Sequence, residues 1–302
     1  MTIELILNSY YRSGSTVLFK MLELSNPDKV VLCEPLHPDL FTLLDKYGPY
    51  REDPLHQMKL WTGYFKLPRS VLIELRERHM NFTACFDAEP VLRYLDPLHK
   101  CEKCVLLKTT RMHFVLGEVK KKLGCKVIHV VRSPALVWMD HLHISIVNDE
   151  EAFWRVTLTR HLYNHVSASF YLGPMFKALQ ERFTLPEPRD NFDRFVACWI
   201  ISNYHAMQSA DVVLVYEILL YRRGEYLDHI NAKLGREYFR KEHAHLPNEQ
   251  LALHHLYRVP MLMKLFEESA EYMGVLNMWF DIEKRIEDEL RRWEIRELYY
   301  RP

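Results

Sequence analysis

Short apolar runs rich in β-branched residues recur along the chain, and between them apolar positions return every three or four residues among polar ones. The runs predict strands buried on both faces and the longer stretches predict amphipathic helices, so their alternation points to a parallel sheet covered by helices. Strands are expected at Ile3–Asn8, Lys29–Cys33, Phe82–Phe86, Cys104–Lys108, Lys126–Val131 and Val212–Val215. Helices are expected at Ser15–Leu24, Pro68–His79, Met112–Leu123, Pro134–Ile144, Glu150–Gln180 and Asn191–Gln208, and beyond Tyr216 the pattern stays helical. The expected class is therefore α/β, a three-layer sandwich around a central parallel sheet with a helical C-terminal part. One domain is expected over 1–302, with a core at 1–220 and an extension at 221–302. In the last segment, Asp281–Tyr300, a stripe of Ile282, Ile286, Leu290 and Trp293 runs among dense charge. Such a stripe either packs on its own domain or zips to a second copy as a homodimer.

Composition narrows the classes of partner. At 302 residues, 48% hydrophobic and 26% charged, with only 9 glycines and 15 prolines, the chain has the make-up of a folded domain. Lys plus Arg and Asp plus Glu are each 40, so the basic excess of a general nucleic-acid binder is missing. Net neutrality still permits a local positive pocket. No run reaches the roughly 18 apolar residues of a membrane span. Met1–Tyr10 has no basic lead-in to its apolar run, and a cytoplasmic location is expected. The six cysteines lie mostly in apolar runs and are expected as free thiols. Cys101 and Cys104 with His99 make half a zinc motif without its second half, and the pairs His141/His143 and His161/His165 lack a partner pattern, so no metal is expected.

In an open parallel sheet, ligands bind beyond the carboxyl ends of the strands. The residues just after the predicted strands are Arg12-Ser13-Gly14-Ser15-Thr16, then Glu34, Asp87, Lys108 with Arg111, Arg132, and Tyr216 with Glu217. Basic and acidic groups would thus share one rim suited to an anionic ligand. The strongest signal is Arg12 to Thr16, between a strand and a helix. Gly14 permits close backbone approach, helix N–H groups point into the loop, and two hydroxyls flank them. The spacing and lysine of a kinase or GTPase loop are absent. An ordinary helix capped by Ser13 or Ser15 is the other reading of this loop.

The string YYRSGSTVLFKML resembles the 5′-phosphosulfate loop of sulfotransferases that use 3′-phosphoadenosine 5′-phosphosulfate (PAPS), and VIHVVRSPALVWMDH is similar to their 3′-phosphate motif. CEPLHP, VLLKTTRMHF and CWIISNYHAMQ followed by VVLVYEILL agree in order, so the resemblance spans about Ile3 to Leu220 and is closest to the carbohydrate and tyrosyl-protein branches. It implies a P-loop-like α/β fold and transfer of sulfonate from PAPS to a hydroxyl, leaving 3′,5′-ADP. It also implies that Arg12, Ser13, Gly14, Ser15 and Thr16 hold the 5′-phosphosulfate, that Arg132 pairs the 3′-phosphate, and that Glu34 and Lys108 are catalytic. Tyr216, at the end of the last strand, joins the expected cofactor contacts. The acceptor would be a small molecule or carbohydrate, with Trp61, Tyr64 and Trp154 as candidate stacking aromatics.

The chemistry fits those residue types. Sulfonate transfer resembles phosphoryl transfer in its loose in-line transition state, so cations such as Lys108 and Arg12 would neutralise the departing oxygen and Glu34 would take the acceptor proton. His37 is a rival base. Arg111 could pair Glu34, Asp87 or the cofactor. Asp140 departs from the family, which usually has a serine eight positions after the arginine of Arg132; an aspartate would repel the phosphate unless His141, His143 or Ser145 supplies the donor. Two other classes stay open: an ATP-dependent small-molecule kinase with Asp87 holding magnesium, and a non-catalytic binding module.

Overall fold

The computed structural model describes residues 3–53, 58–82, 84–143, 172–243 and 259–295. Among the described residues five strands form one all-parallel sheet: β1 (Ile3–Ser9), β2 (Val30–Cys33), β3 (Val105–Thr109), β4 (Lys126–Val131) and β5 (Val212–Val215), in the order β2-β3-β1-β4-β5. Nearly every strand residue is buried, as strands covered on both faces require. The predicted P-loop-like three-layer architecture is present.

Between the strands lie α1 (Ser15–Ser25), α2 (Leu40–Tyr47), α3 (Arg69–Arg78), α4 (Ala88–Lys100), α5 (Leu116–Leu123), α6 (Pro134–His143), α7 (Leu172–Phe183) and α8 (Asn191–Ser209). The β1-to-β2 crossover runs one way along the sheet and the later ones run the other. Right-handed connections therefore put α1 on one face and α4, α5 and α8 on the opposite face. The strand order reverses at β1, and that switch point opens the rim where β1, β3 and β4 end together.

Of the predicted strand Phe82–Phe86, the described residues, 82 and 84–86, belong to no strand. Phe82 is buried against Tyr94, with ring centroids 5.0 Å apart, so the run is apolar because it packs and not because it pairs. The sheet edge at β2 is already covered by the short helical turn Thr62–Lys66. Gly63 lies so close that a Cβ there would stand 1.9 Å from the Val31 carbonyl oxygen, and Tyr64 donates its hydroxyl to the Cys33 carbonyl at 2.8 Å. A covered edge leaves no room for a sixth strand. The helix predicted from Met112 begins only at Leu116, and the predicted helix Glu150–Gln180 is described from Leu172 onward.

After β5 come α9 (Tyr216–Tyr221), α10 (Arg223–Leu234), α11 (Val259–Tyr272) and α12 (Leu276–Arg292). The stripe of Ile282, Ile286 and Leu290 is buried at 0–2% exposure, and α12 packs against α8. The face that could have zipped to a second copy is thus taken up by the chain itself. Among the described residues no helix is long and apolar enough to cross a membrane.

One polar chain runs through the core beneath the rim. Asn8 Nδ2 donates to His129 Nδ1 at 3.0 Å and to His113 Nδ1 at 3.2 Å, His129 Nε2 donates to Asn203 Oδ1 at 2.8 Å, and Asn203 Nδ2 donates to the Trp199 carbonyl at 2.7 Å. Burial pushes His113 down to about 3, helped by the neighbouring His129, and burial pushes His129 down to about 4. Both are therefore neutral when folded, whereas the unfolded chain binds protons below its histidine value of about 6.5. Stability is full above that value and falls with pH by about 1.4 kcal/mol per unit for each histidine until the folded values are reached. Urea midpoints should drop from pH 7 to pH 5 and the drop should lessen in His129→Gln; a flat profile would contradict the neutral buried pair.

Candidate active site

Four strand ends feed one cavity of about 580 Å³. Its wall includes Arg12, Ser13, Gly14, Ser15 and Thr16 after β1, Glu34 and His37 after β2, Lys108, Thr110 and Arg111 around the end of β3, and Arg132 after β4. Leu43, Met58, Leu60 and Trp61 supply an apolar stretch of wall. The volume suits a small organic ligand.

The loop after β1 enters α1 through two left-handed residues, Arg12 at φ 63° and Gly14 at φ 77°. Gly14 is the residue before the helix, and no side chain caps α1, so neither Ser13 nor Ser15 is the expected N-cap. Ser15 instead receives a hydrogen bond from Ser9 Oγ at 2.7 Å, while Ser13 Oγ is buried without a partner among the described residues. A Cβ at Gly14 would stand 2.2 Å from the Tyr216 ring. Tyr216 is fully buried behind the loop and is not on the cavity wall. It supports the loop from beneath, with the Arg132 guanidinium 5.4 Å from its ring centroid.

Glu34 is the electrostatic centre. Lys108 Nζ donates to its Oε1 at 2.5 Å, and Oε2 accepts from Arg111 Nη1 at 3.0 Å, Thr110 N–H at 3.1 Å and Thr110 Oγ1 at 3.0 Å. Burial alone would raise this carboxylic acid, but Lys108 and Arg111 outweigh it and hold Glu34 down to about 2. Burial likewise disfavours the charge on Lys108, and Glu34 reverses that, raising it. Of its expected partners, Arg111 pairs with Glu34 here. Asp87 is exposed at the start of α4, where its carboxylate accepts from Glu89 N–H at 3.0 Å, and it is absent from the cavity wall. The kinase reading loses its magnesium-holding residue with it.

Among the described residues, two of the four non-glycine residues with positive φ, Thr184 and Glu294, come after helix ends, where a left-handed residue is common. The other two are Arg12 and Glu34. Strained backbone concentrated on the wall of one cavity is characteristic of a site whose side chains are held in place.

His37 lies in a turn whose N–H donates to the Glu34 carbonyl at 2.9 Å, and its own carbonyl accepts from His79 Nε2 at 2.9 Å. Burial first, and then Arg111, push it down to about 4, so its ring is neutral. Its Nδ1 accepts the Asp39 N–H at 3.1 Å, which places the ring proton on Nε2.

Arg132 binds the Arg12 carbonyl at 2.9 Å and Asp140 across one face of α6. Burial opposes its charge, and Asp140 and Glu217 restore and raise it. Asp140 is on the cavity wall beside it. Among the described residues the wall's four cations, Arg12, Lys108, Arg111 and Arg132, are matched in number by Glu34, Asp39, Asp53 and Asp140. Among the described residues Arg12 is the one of the four with no carboxylate paired to it; its guanidinium lies 5.9 Å from the Tyr11 ring centroid. Asp39 and Asp53 escape a reading of strand ends because neither comes directly after a strand.

Trp61 is on the wall, whereas Tyr64 is fully buried in the core and Trp154 lies outside the described residues. Also outside them are His161, His165 and Ser145 and the side chains of His141 and His143. All six cysteines are free thiols, and among the described residues no group of three His, Cys, Asp or Glu side chains is arranged to hold a metal ion.

A scan of protein-family models finds no match. An uncharacterized protein of Archaeoglobus fulgidus is 27% identical over 304 residues, covering 91% of this chain and 96% of that protein. Among solved structures, a sulfotransferase from Alicyclobacillus acidocaldarius aligns at 11% identity and a TM-score of 0.39, covering 92% of this chain and 96% of that one. A mouse sulfotransferase complexed with PAP aligns at 15% identity and a TM-score of 0.35 over 80% of this chain, which spans 61% of the mouse protein.

Proposed function

We propose that this chain is a sulfotransferase, moving a sulfonate group from a nucleotide phosphosulfate to an acceptor hydroxyl. PAPS is the donor that the sequence resemblance implies. The observation that carries the proposal is the meeting, in one cavity, of the Arg12–Thr16 loop with the Lys108–Glu34–Arg111 cluster. The 5′ end of such a donor fits this chain. Among the described residues Arg12 has no carboxylate partner, Ser13 offers a buried hydroxyl without a partner, and α1 a first turn with no side-chain cap. The donor supplies a sulfonate on an already good phosphate leaving group, so the protein need only position it and neutralise charge.

Lys108 and Arg12 would stabilise the negative charge that gathers on the bridging oxygen. Glu34 would accept the acceptor proton, and its present pairing makes it a weak base. An anion arriving beside Lys108 competes with Glu34 for that ammonium, and weakening the pair raises the basicity of the carboxylate. The base would thus be armed when donor is at hand. His37, with its Nδ1 engaged, would serve as an Nε2–H donor and not as the base. Leu43, Met58, Leu60 and Trp61 would seat the apolar part of a small-molecule acceptor, a sugar or glycolipid among them.

Sulfur-labelled PAPS and adenosine 5′-phosphosulfate, each offered with a panel of sugars, phenols and alcohols, test the reading. Label should pass to at least one hydroxyl. Arg12→Ala should weaken 5′-AMP binding by about 10- to 100-fold, the worth of a charge-assisted contact. No transfer from either donor, with no nucleotide bound, would instead favour the binding-module class.

A further inference from the structure

Two places on the rim set a cation beside a helix N-terminus, and they are not equivalent. At the first, Arg12 and the uncapped start of α1, no carboxylate of the described residues intervenes. At the second, Arg132 and Ser133 lead into α6, and both are already engaged. Arg132 Nη1 binds Asp140, and Ser133 N–H donates to Glu217 Oε1 at 2.8 Å. Glu217 is buried behind the wall, and Asp140 is on it with its side chain 43% exposed.

Resting on the sulfonate-transfer reading, we infer that the donor is a nucleoside 5′-phosphosulfate whose sugar is met at Arg132 as a free hydroxyl and not as a phosphate, with Asp140 setting the choice. A phosphate dianion there would face a carboxylate and find its cation shared, with Glu217 one layer behind. A hydroxyl satisfies the same groups. It donates to the Asp140 carboxylate and accepts from Arg132, whose Nε is buried without a partner among the described residues. Dinucleotide sites use the same logic, an acidic residue selecting a ribose hydroxyl where an arginine admits a ribose phosphate.

Calorimetric titration of the whole chain with 5′-AMP and with 3′,5′-ADP decides this. Wild type should bind 5′-AMP more than about tenfold tighter, a modest ratio for a like-charge contact in a partly buried site. Asp140→Ser should narrow or reverse the ratio, chiefly by strengthening 3′,5′-ADP, and Asp140→Asn, of nearly the same shape, should move it the same way. Equal or tighter binding of 3′,5′-ADP by wild type overturns the donor assignment and leaves sulfonate transfer standing. Failure of both nucleotides to bind at millimolar concentration overturns both. An unchanged ratio in the folded variants removes Asp140 from the role.

Discussion

Glu34→Gln will lower sulfonate turnover by about 10²- to 10⁴-fold, the usual worth of a general base. It will also destabilise the fold by about 3 kcal/mol, the low end for breaking a buried ion pair. Both effects come from one carboxylate. Lys108 and Arg111 are buried and bond opposite oxygens of the carboxylate, so a glutamine removes the charge that offsets their desolvation and leaves one of them facing an amide NH2 that cannot accept. The stability loss, read from urea unfolding, does not depend on knowing the acceptor. It also has a pH signature. Because Glu34 is held down to about 2 when folded and titrates near the ordinary carboxylate range when unfolded, its contribution is present above about pH 4.5 and disappears as pH falls toward 2. A variant as stable as wild type at pH 7 would mean that the cluster is solvated; normal turnover would move the base role elsewhere.

Gly14→Ala will cost about 3 kcal/mol, combining roughly 1–2 for a left-handed alanine with 1–3 for overpacking, and will abolish tight binding of 5′-AMP. The added methyl would meet the buried Tyr216 ring, which cannot withdraw because β5 and the start of α9 hold it. Gly235→Ala separates the two causes. Gly235 is equally left-handed at φ 70°, with nothing within 4 Å of an added Cβ, so only the backbone penalty applies there. Thermal midpoints of the two variants should differ by several degrees; equal losses would mean that the loop yields without disturbing Tyr216.

Much of this architecture is legible in the sequence because parallel strands buried on both faces leave a plain mark. β1, β2, β3, β4 and β5 each fall within two residues of an apolar run. The run at Phe82–Phe86 misleads because burial in a loop against Tyr94 leaves the same apolar mark as burial in a strand. At the site, Arg12, Glu34 and Arg132, which follow strand ends, and Lys108, the next-to-last residue of β3, all line one cavity. The same rule also points to Asp87 and Tyr216, which come after apolar runs but face elsewhere, and it passes over Asp39 and Asp53.

Local sequence determined where strands end, where the loop before α1 must take a left-handed turn, and which charged residues reach the rim. Those properties depend on hydrophobic period and on the conformational range of single residues. Tertiary structure alone decided how the charges pair: Lys108 and Arg111 on Glu34, Asp140 on Arg132, and Arg12 left without a carboxylate partner among the described residues. Pairing depends on distances between residues up to 77 positions apart, set by strand order and crossover direction, and no local pattern of residues carries that information.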